Sequence, residues 1–299
     1  MNNLTDIKQL SRSDILALFK KADEIKGMSN SERHTLLQHR SVFTVFFENS
    51  TRTSASFQLA AQRLGTHVVS LNMAKSSTQK GESMRDTLLT LAAMQPDGLI
   101  IRHHDDGFCN LASIWLKKHN IAIINAGDGC NQHPTQGLLD LYTLYQHKDT
   151  GPLNIAIIGD IKHSRVASSL IDGLEIMSNN DIRLFGPTEL MPNPRNAVRI
   201  AESMQDALDD ADVVVMLRIQ KERLPHNLNI DFDNWHEHYG LNENTLRYCK
   251  PDAIVMHPGP MNRGVEIIDA VADGPQSVIL EQVTNGVIIR QAVLSYCLA

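Results

Sequence analysis

The sequence predicts an α/β protein of two domains, each a mainly parallel sheet flanked by helices, with a ligand cleft between them. Three observations carry this. Strand-like runs recur after helical ones along the whole chain. Several of those runs are unbroken apolar stretches, as strands covered on both faces are. At 299 residues the chain is also long for a single core, so two domains are expected.

The first strand is read from Val42-Phe43-Thr44-Val45-Phe46-Phe47, rich in β-branched and aromatic residues. Further strands are expected at His67–Asn72, Gly98–Arg102 and Ile121–Asn125. The helices between and around them are expected at 12–26, 53–64, 84–94, 108–119 and 135–147. In the second of these, Ala55, Phe57, Leu59, Ala60 and Leu64 recur at roughly helical spacing. A break follows at His147-Lys148-Asp149-Thr150-Gly151-Pro152. It sets a first domain at 1–148 and a second at 149–275. The second domain is expected to hold strands Leu153–Ile158, Ile182–Phe185, Val213–Arg218 and Ala253–His257, with helices at 164–177 and 203–210. A final helix, about 276–299, is expected to return to the first domain. No internal repeat or low-complexity tract is apparent.

Charged residues make up 21% and hydrophobic residues 42%, the balance of an ordinary globular protein. The net charge of -6 gives no support for a nucleic-acid or anionic-membrane partner, so any anion site must be a local cluster of cations. The start lacks the basic and apolar regions of a signal peptide, and no apolar run is long enough to span a bilayer. A cytoplasmic location is expected. Four cysteines, Cys109, Cys130, Cys249 and Cys297, are widely separated with no CxxC pair, which argues against disulfides or a zinc site.

The polar clusters fall at the carboxyl ends of the expected strands, where open α/β sheets bind ligands. Ser50-Thr51-Arg52-Thr53 ends the first strand and opens a helix. Helix N-termini attract anions, and an arginine adds a forked, permanently charged donor. Taken alone, the segment fits phosphate binding and simple capping equally; the other clusters tip the balance toward a site. Arg102, Arg165 and Arg218 each leave an apolar strand at its carboxyl end. In the glycine-rich run Asn125–Gln136, His133 and Gln136 lie three apart on one helix face and could donate to a carbonyl or amide. His257-Pro258-Gly259-Pro260 follows the last strand. Its prolines cannot donate N–H bonds, so the Gly259 and Pro260 carbonyls are available to a ligand amide. His103, His104, Asp105 and Asp106 look like metal ligands, but adjacent histidines on an extended chain point to opposite faces, and no metal is expected. No Walker loop, GxGxxG or Ser-His-Asp order is present. Cations and donors without a nucleophile suit transfer between two bound anions by positioning and charge stabilisation.

Together these residues resemble the aspartate/ornithine carbamoyltransferase family over nearly the whole chain, on its aspartate-using side. The resemblance rests on Ser50-Thr51-Arg52-Thr53, Lys80-Gly81-Glu82, Arg102-His103, His133-Pro134-Thr135-Gln136, Gly159-Asp160-Ile161-Lys162-His163-Ser164-Arg165, Arg218-Ile219-Gln220-Lys221-Glu222-Arg223 and His257-Pro258-Gly259-Pro260. It implies transfer of the carbamoyl group of carbamoyl phosphate to the α-amine of L-aspartate, an early step of pyrimidine synthesis, with no metal or organic cofactor. Ser50, Thr51, Arg52 and Thr53 would hold the phosphate, and Thr53, Arg102 and His133 would polarise the carbamoyl oxygen. Gln136 and the carbonyls of Gly259 and Pro260 would hold the carbamoyl NH₂. Arg165, Arg218 and Gln220 would take the aspartate carboxylates. Lys80 and Ser76 would enter the site of a neighbouring subunit, giving a homotrimer with shared sites. A larger assembly with a regulatory chain or dihydroorotase would be possible.

The family pattern carries a charged pair where this chain has Ser54 and Gln58, which leaves helix rigidity and ligand affinity open at that place. Two alternatives stand beside this one. Ornithine carbamoyltransferases usually have His-Cys-Leu-Pro in place of His257–Pro260, and their substrate's ammonium calls for carboxylates rather than arginines. A non-catalytic scaffold relative would bind carbamoyl phosphate weakly or not at all.

Overall fold

The structure, a computed structural model, describes residues 2–73, 83–148, 151–193, 195, 198–220 and 230–299. The chain divides into two compact units, Met1–Leu139 with Thr284–Ala299, and Asp140–Val283. Among the described residues each unit holds one sheet, and every strand pair is parallel.

In the first unit the strands are β1 (Ser41–Phe46), β2 (His67–Asn72), β3 (Gly98–His103) and β4 (Ala122–Asp128). Their order across the sheet is β2-β1-β3-β4. Helices Thr51–Arg63, Met84–Ala93 and Phe108–Trp115 make the crossovers. β3 and β4 are buried at every residue, as strands covered on both faces must be, whereas β2, an edge strand, has no buried residue. Leu99, Ile101 and Ile123 from the sheet pack with Leu88, Phe108 and Cys109 from the helices. The chain passes from β1 to β2 on one side, then returns to place β3 on the other. The strand order therefore reverses between β1 and β3, and ligands in such sheets bind beyond the carboxyl ends at that reversal.

The second unit repeats the plan with five strands: β5 (Asn154–Ile158), β6 (Asp181–Phe185), β7 (Val198–Ile200), β8 (Val213–Met216) and β9 (Ile254–Met256). Their order is β7-β6-β5-β8-β9, so the reversal falls between β5 and β8. Ile158, Val214, Met216, Val255 and Ile267 form its core. Strands too short to show a period are the difference from the expected pattern. β7 has only three residues, and helices Asn30–Thr35, Trp235–Tyr239, Glu243–Leu246 and Asp269–Ala272 have four to six. No helix among the described residues is long and apolar enough to cross a membrane.

The final helix, Ile279–Leu298, carries Arg290, which is 4% exposed. Its guanidinium donates to Ser56 Oγ (2.9 Å) and lies 5.0 Å from the centre of the Phe57 ring. Both partners belong to helix Thr51–Arg63, so the C-terminal segment braces the helix that follows β1.

Candidate functional site

The helix after β1 begins at Thr51, two residues earlier than its apolar spacing suggests, with Ser50 at the N-cap. Ser50 is extended (φ -155°, ψ 94°) and its side chain makes no capping hydrogen bond. By contrast, Ser11, Ser29, Ser83, Ser164 and Ser203 each accept an N–H of the helix they open. The first-turn N–H groups behind Ser50 are thus not taken by its hydroxyl, the condition for receiving an anion. Thr51 and Arg52 are exposed and Thr53 half-buried on that turn. Where the family pattern has a charged pair, Gln58 donates to Ser54 Oγ at 2.8 Å, a neutral link across one helical turn.

Arg102, second to last in β3, lies level with Phe46 of β1. It is 8% exposed, donates to the Ala126 carbonyl (3.1 Å) and lies 3.4 Å from Glu48 Oε2. A buried cation needs such partners, and Glu48 is a site carboxylate that sequence reasoning passed over. It stands two residues before Ser50, in the same strand-end loop.

The two histidines that follow depart from the expected geometry. His103 and His104 do not diverge; their rings stack at 4.2 Å and 22°, with Phe108 stacked on His103 at 3.7 Å. The chain leaves the extended conformation at the end of β3, which removes the alternation the expectation used. His103, His104 and Asp105 bring ligand atoms within 4.8 Å of one another. Stacked rings aim their lone pairs in separate planes, a poor arrangement for one ion. His103 Nδ1 accepts the Asp105 N–H (3.0 Å), which places the proton on Nε2. Burial, then His104, pushes the His103 pKa down to about 4.

The loop after β4 is built on Asp128. This buried carboxylate accepts the Gln132 N–H (3.0 Å) and the Asn125 amide (3.1 Å), and burial raises its pKa. Gly129 has φ +48°, and a Cβ there would lie 1.8 Å from Asp106 Oδ1, which in turn accepts the Cys130 N–H (2.7 Å). Only glycine fits that approach. The loop delivers His133, 4% exposed, to the start of helix Pro134–His147, where its carbonyl accepts from Gln136 and Gly137. Gln136 is half-buried on the first turn. β1, β3 and β4 thus bring Ser50, Thr51, Arg52, Thr53, Arg102, His133 and Gln136 to one end of one sheet.

At the reversal of the second sheet, Asp160 plays the organising part. It is fully buried and accepts from His163 Nδ1 (2.9 Å) and from the Gln220 N–H (3.4 Å), while Gln220 Nε2 donates to the His163 carbonyl (3.1 Å). One carboxylate therefore ties the loop after β5 to the loop after β8. Gly159, at φ +125°, permits that approach, since a Cβ there would lie 2.6 Å from the Leu217 carbonyl oxygen. Arg165, 6% exposed, opens helix Arg165–Met177, and Arg218 and Gln220 are half-buried after β8. Beyond β9, His257 is buried, Gly259 half-buried and Pro260 exposed. Ser76 and Lys80, with Lys221, Glu222 and Arg223, lie outside the described residues.

Two sheets whose strand reversals both carry arginines and hydrogen-bond donors have the chemistry suited to anions at each. A family model of the aspartate/ornithine carbamoyltransferase carbamoyl-P binding domain matches residues 2–146. The model of that family's Asp/Orn binding domain matches residues 152–297. The chain belongs to the aspartate/ornithine carbamoyltransferase family. It is similar to aspartate transcarbamoylase from Trypanosoma cruzi in complex with carbamoyl phosphate and aspartate, at 30% identity over 100% of this chain and 97% of that one, with a TM-score of 0.89. The same enzyme with carbamoyl aspartate and phosphate gives 30% identity, 100% and 96% coverage, and a TM-score of 0.87. Ornithine carbamoyltransferase from Thermus thermophilus shares the fold, at 22% identity, 99% coverage of each chain and a TM-score of 0.85.

Proposed function

We propose that the chain transfers the carbamoyl group of carbamoyl phosphate to the α-amine of L-aspartate, releasing N-carbamoyl-L-aspartate and phosphate. What supports this is the match of both family models, together with strand-order reversals that lie close to Arg102 in the first sheet and to Arg165, Arg218 and Gln220 in the second. The phosphate goes to the helix start at Ser50, Thr51, Arg52 and Thr53, where the N-cap hydroxyl leaves the N–H groups to the ligand. Arg102, His133 and Thr53 face the carbamoyl oxygen. Gln136 and the carbonyls of Gly259 and Pro260 hold the NH₂. Arg165, Arg218 and Gln220 take the two carboxylates of aspartate, and Lys80 and Ser76 come from a neighbouring subunit.

The neutral amine of aspartate attacks the carbamoyl carbon, and charge builds on the carbonyl oxygen and then on the departing phosphate. Donors fixed in advance at those places lower the barrier, each by about 3–4 kcal/mol as oxyanion-hole donors do. Arg102 is fixed by Glu48 and Ala126, and Gln220 by Asp160 and His163, so neither has to be organised during the reaction. No metal or organic cofactor takes part. Two arginines favour a dicarboxylate over ornithine, whose side chain ends in an ammonium group.

On this reading residues 1–148, with the helix at about 276–299, form the carbamoyl-phosphate domain, and 149–275 the aspartate domain. The active species is a cytoplasmic homotrimer with shared sites, serving pyrimidine synthesis. A regulatory chain or dihydroorotase is the partner class for any larger assembly. The test is to supply carbamoyl phosphate with aspartate or with ornithine and assay the ureido product. Product with aspartate alone supports the reading. Product with ornithine alone moves the chain to the other branch, and none with either makes it a scaffold.

A further inference from the structure

The segment after β9 is held by a chain of hydrogen bonds that ends on a wholly buried carboxylate. His257 is 2% exposed and Glu266 0%. The Gly259 N–H donates to His257 Nδ1 at 2.8 Å. That nitrogen is then an acceptor, so the neutral imidazole carries its proton on Nε2, which lies 3.1 Å from Glu266 Oε1. The same oxygen accepts the Asn262 N–H at 2.5 Å. From the other side, the His257 N–H donates to Gln282 Oε1 at 2.9 Å, and Gln282 Nε2 donates to Asp140 Oδ1 at 2.8 Å.

One oxygen of Glu266 therefore holds both ends of the stretch between His257 and Asn262. Within that stretch Pro258 and Pro260 have no N–H to offer, and Gly259's N–H is already committed. Among the described residues no hydrogen bond to the Gly259 or Pro260 carbonyl is made, so the two anchors set the backbone that carries them. The second oxygen, Glu266 Oε2, is buried without a hydrogen-bond partner among the described residues, so an acidic side chain is kept here at a cost in desolvation. A group that served only to fill the core would not require that cost.

We infer that Glu266, acting through His257, is a positioning residue that aims the Gly259 and Pro260 carbonyls at the NH₂ of the carbamoyl group. The inference rests on the proposed function, which assigns those carbonyls to that group. Its signature is selectivity between carbamoyl phosphate and acetyl phosphate, which differ only by NH₂ against CH₃. Inorganic phosphate, with neither, should not feel the change.

The experiment measures dissociation constants of the three ligands for the full-length protein and its variants, together with kcat and KM. The wild type prefers carbamoyl over acetyl phosphate by tenfold or more, because a site built to bond an NH group discriminates against its loss. Glu266→Met, which keeps bulk but offers no acceptor, reduces that preference about tenfold. It raises KM for carbamoyl phosphate to match, with affinity for inorganic phosphate within about twofold of wild type. Glu266→Gln, which retains Oε1, stays within about threefold of wild type throughout. A wild-type preference that persists in Glu266→Met overturns the role of Glu266, as does a parallel loss of all three affinities. A wild type with no preference overturns the carbonyl contact itself, and with it the inference. Imidazole ¹⁵N shifts of the wild type supply a check that needs no variant to fold. They must place the His257 proton on Nε2, and a proton on Nδ1 contradicts the inference.

Discussion

Arg102 and Arg52 illustrate how differently two cations of one site are held. Arg102 is buried against Glu48 and the Ala126 carbonyl, so its orientation is set before any ligand arrives. Arg52 is exposed on the first turn of its helix, where the proposed function gives it the phosphate. Arg52→Ala should therefore fold normally while turnover falls about 10²–10³-fold, the effect of removing one oxyanion-hole donor. Near-normal kcat in a folded variant would remove phosphate binding from this helix start. His103 gives a second prediction at this scale. Its folded pKa of about 4 lies below the ordinary value of 6.5, so between those values the unfolded chain binds the extra proton. Stability attributable to His103 is complete above pH 6.5 and is lost as pH falls toward 4, by up to about 3 kcal/mol. Denaturant titrations at pH 7 and pH 4.5 should show that loss in the wild type and a smaller one in His103→Asn; equal losses contradict it. The arginines of the candidate site were legible in the sequence because each lies in a polar segment at or soon after the carboxyl end of an apolar strand. The acids that hold the site's frame, Glu48 beside Arg102 and Glu266 beside His257, were not, since nothing in their local pattern separates them from surface acids. Only tertiary burial does.

The helix Thr51–Arg63 carries the proposed phosphate site at one end and the brace from Arg290 along its length. The guanidinium on Ser56 and over Phe57 combines a charge-assisted hydrogen bond with a cation–π contact. Together these are worth about 2 kcal/mol. Arg290→Met should lower the denaturation midpoint accordingly and leave KM for aspartate unchanged. An unaltered midpoint would show that the brace contributes nothing. The Ser54–Gln58 hydrogen bond links those two positions across one helical turn in neutral form. Long elements with a clear period, such as β1 and helix Met84–Ala93, could be read from sequence nearly to the residue. β7, at three residues, could not, because a period of two needs more than one repeat to be seen. The stacking of His103 on His104 was missed for a related reason. The alternation rule holds inside a strand and fails at its last residue.

At the scale of the whole molecule, two parallel sheets with reversed strand order each gather arginines and hydrogen-bond donors at the reversal, and the proposed function makes each of them an anion site. The proposed trimer makes each site dependent on Lys80 of another chain. Arg52→Ala and Lys80→Ala chains, each inactive alone, should recover part of the wild-type rate when co-assembled, because some sites then receive an intact Arg52 and an intact Lys80. Mixtures no more active than their components would confine the site to one chain. The most direct measurement of the central claim follows the carbamoyl carbon itself. Carbamoyl phosphate labelled with ¹³C is offered to the protein in one tube with equal aspartate and ornithine, and the products are read by NMR. The label should appear in N-carbamoyl-L-aspartate, with one phosphate released per transfer. Label in the ornithine product, or only in the products of spontaneous breakdown, would contradict the account.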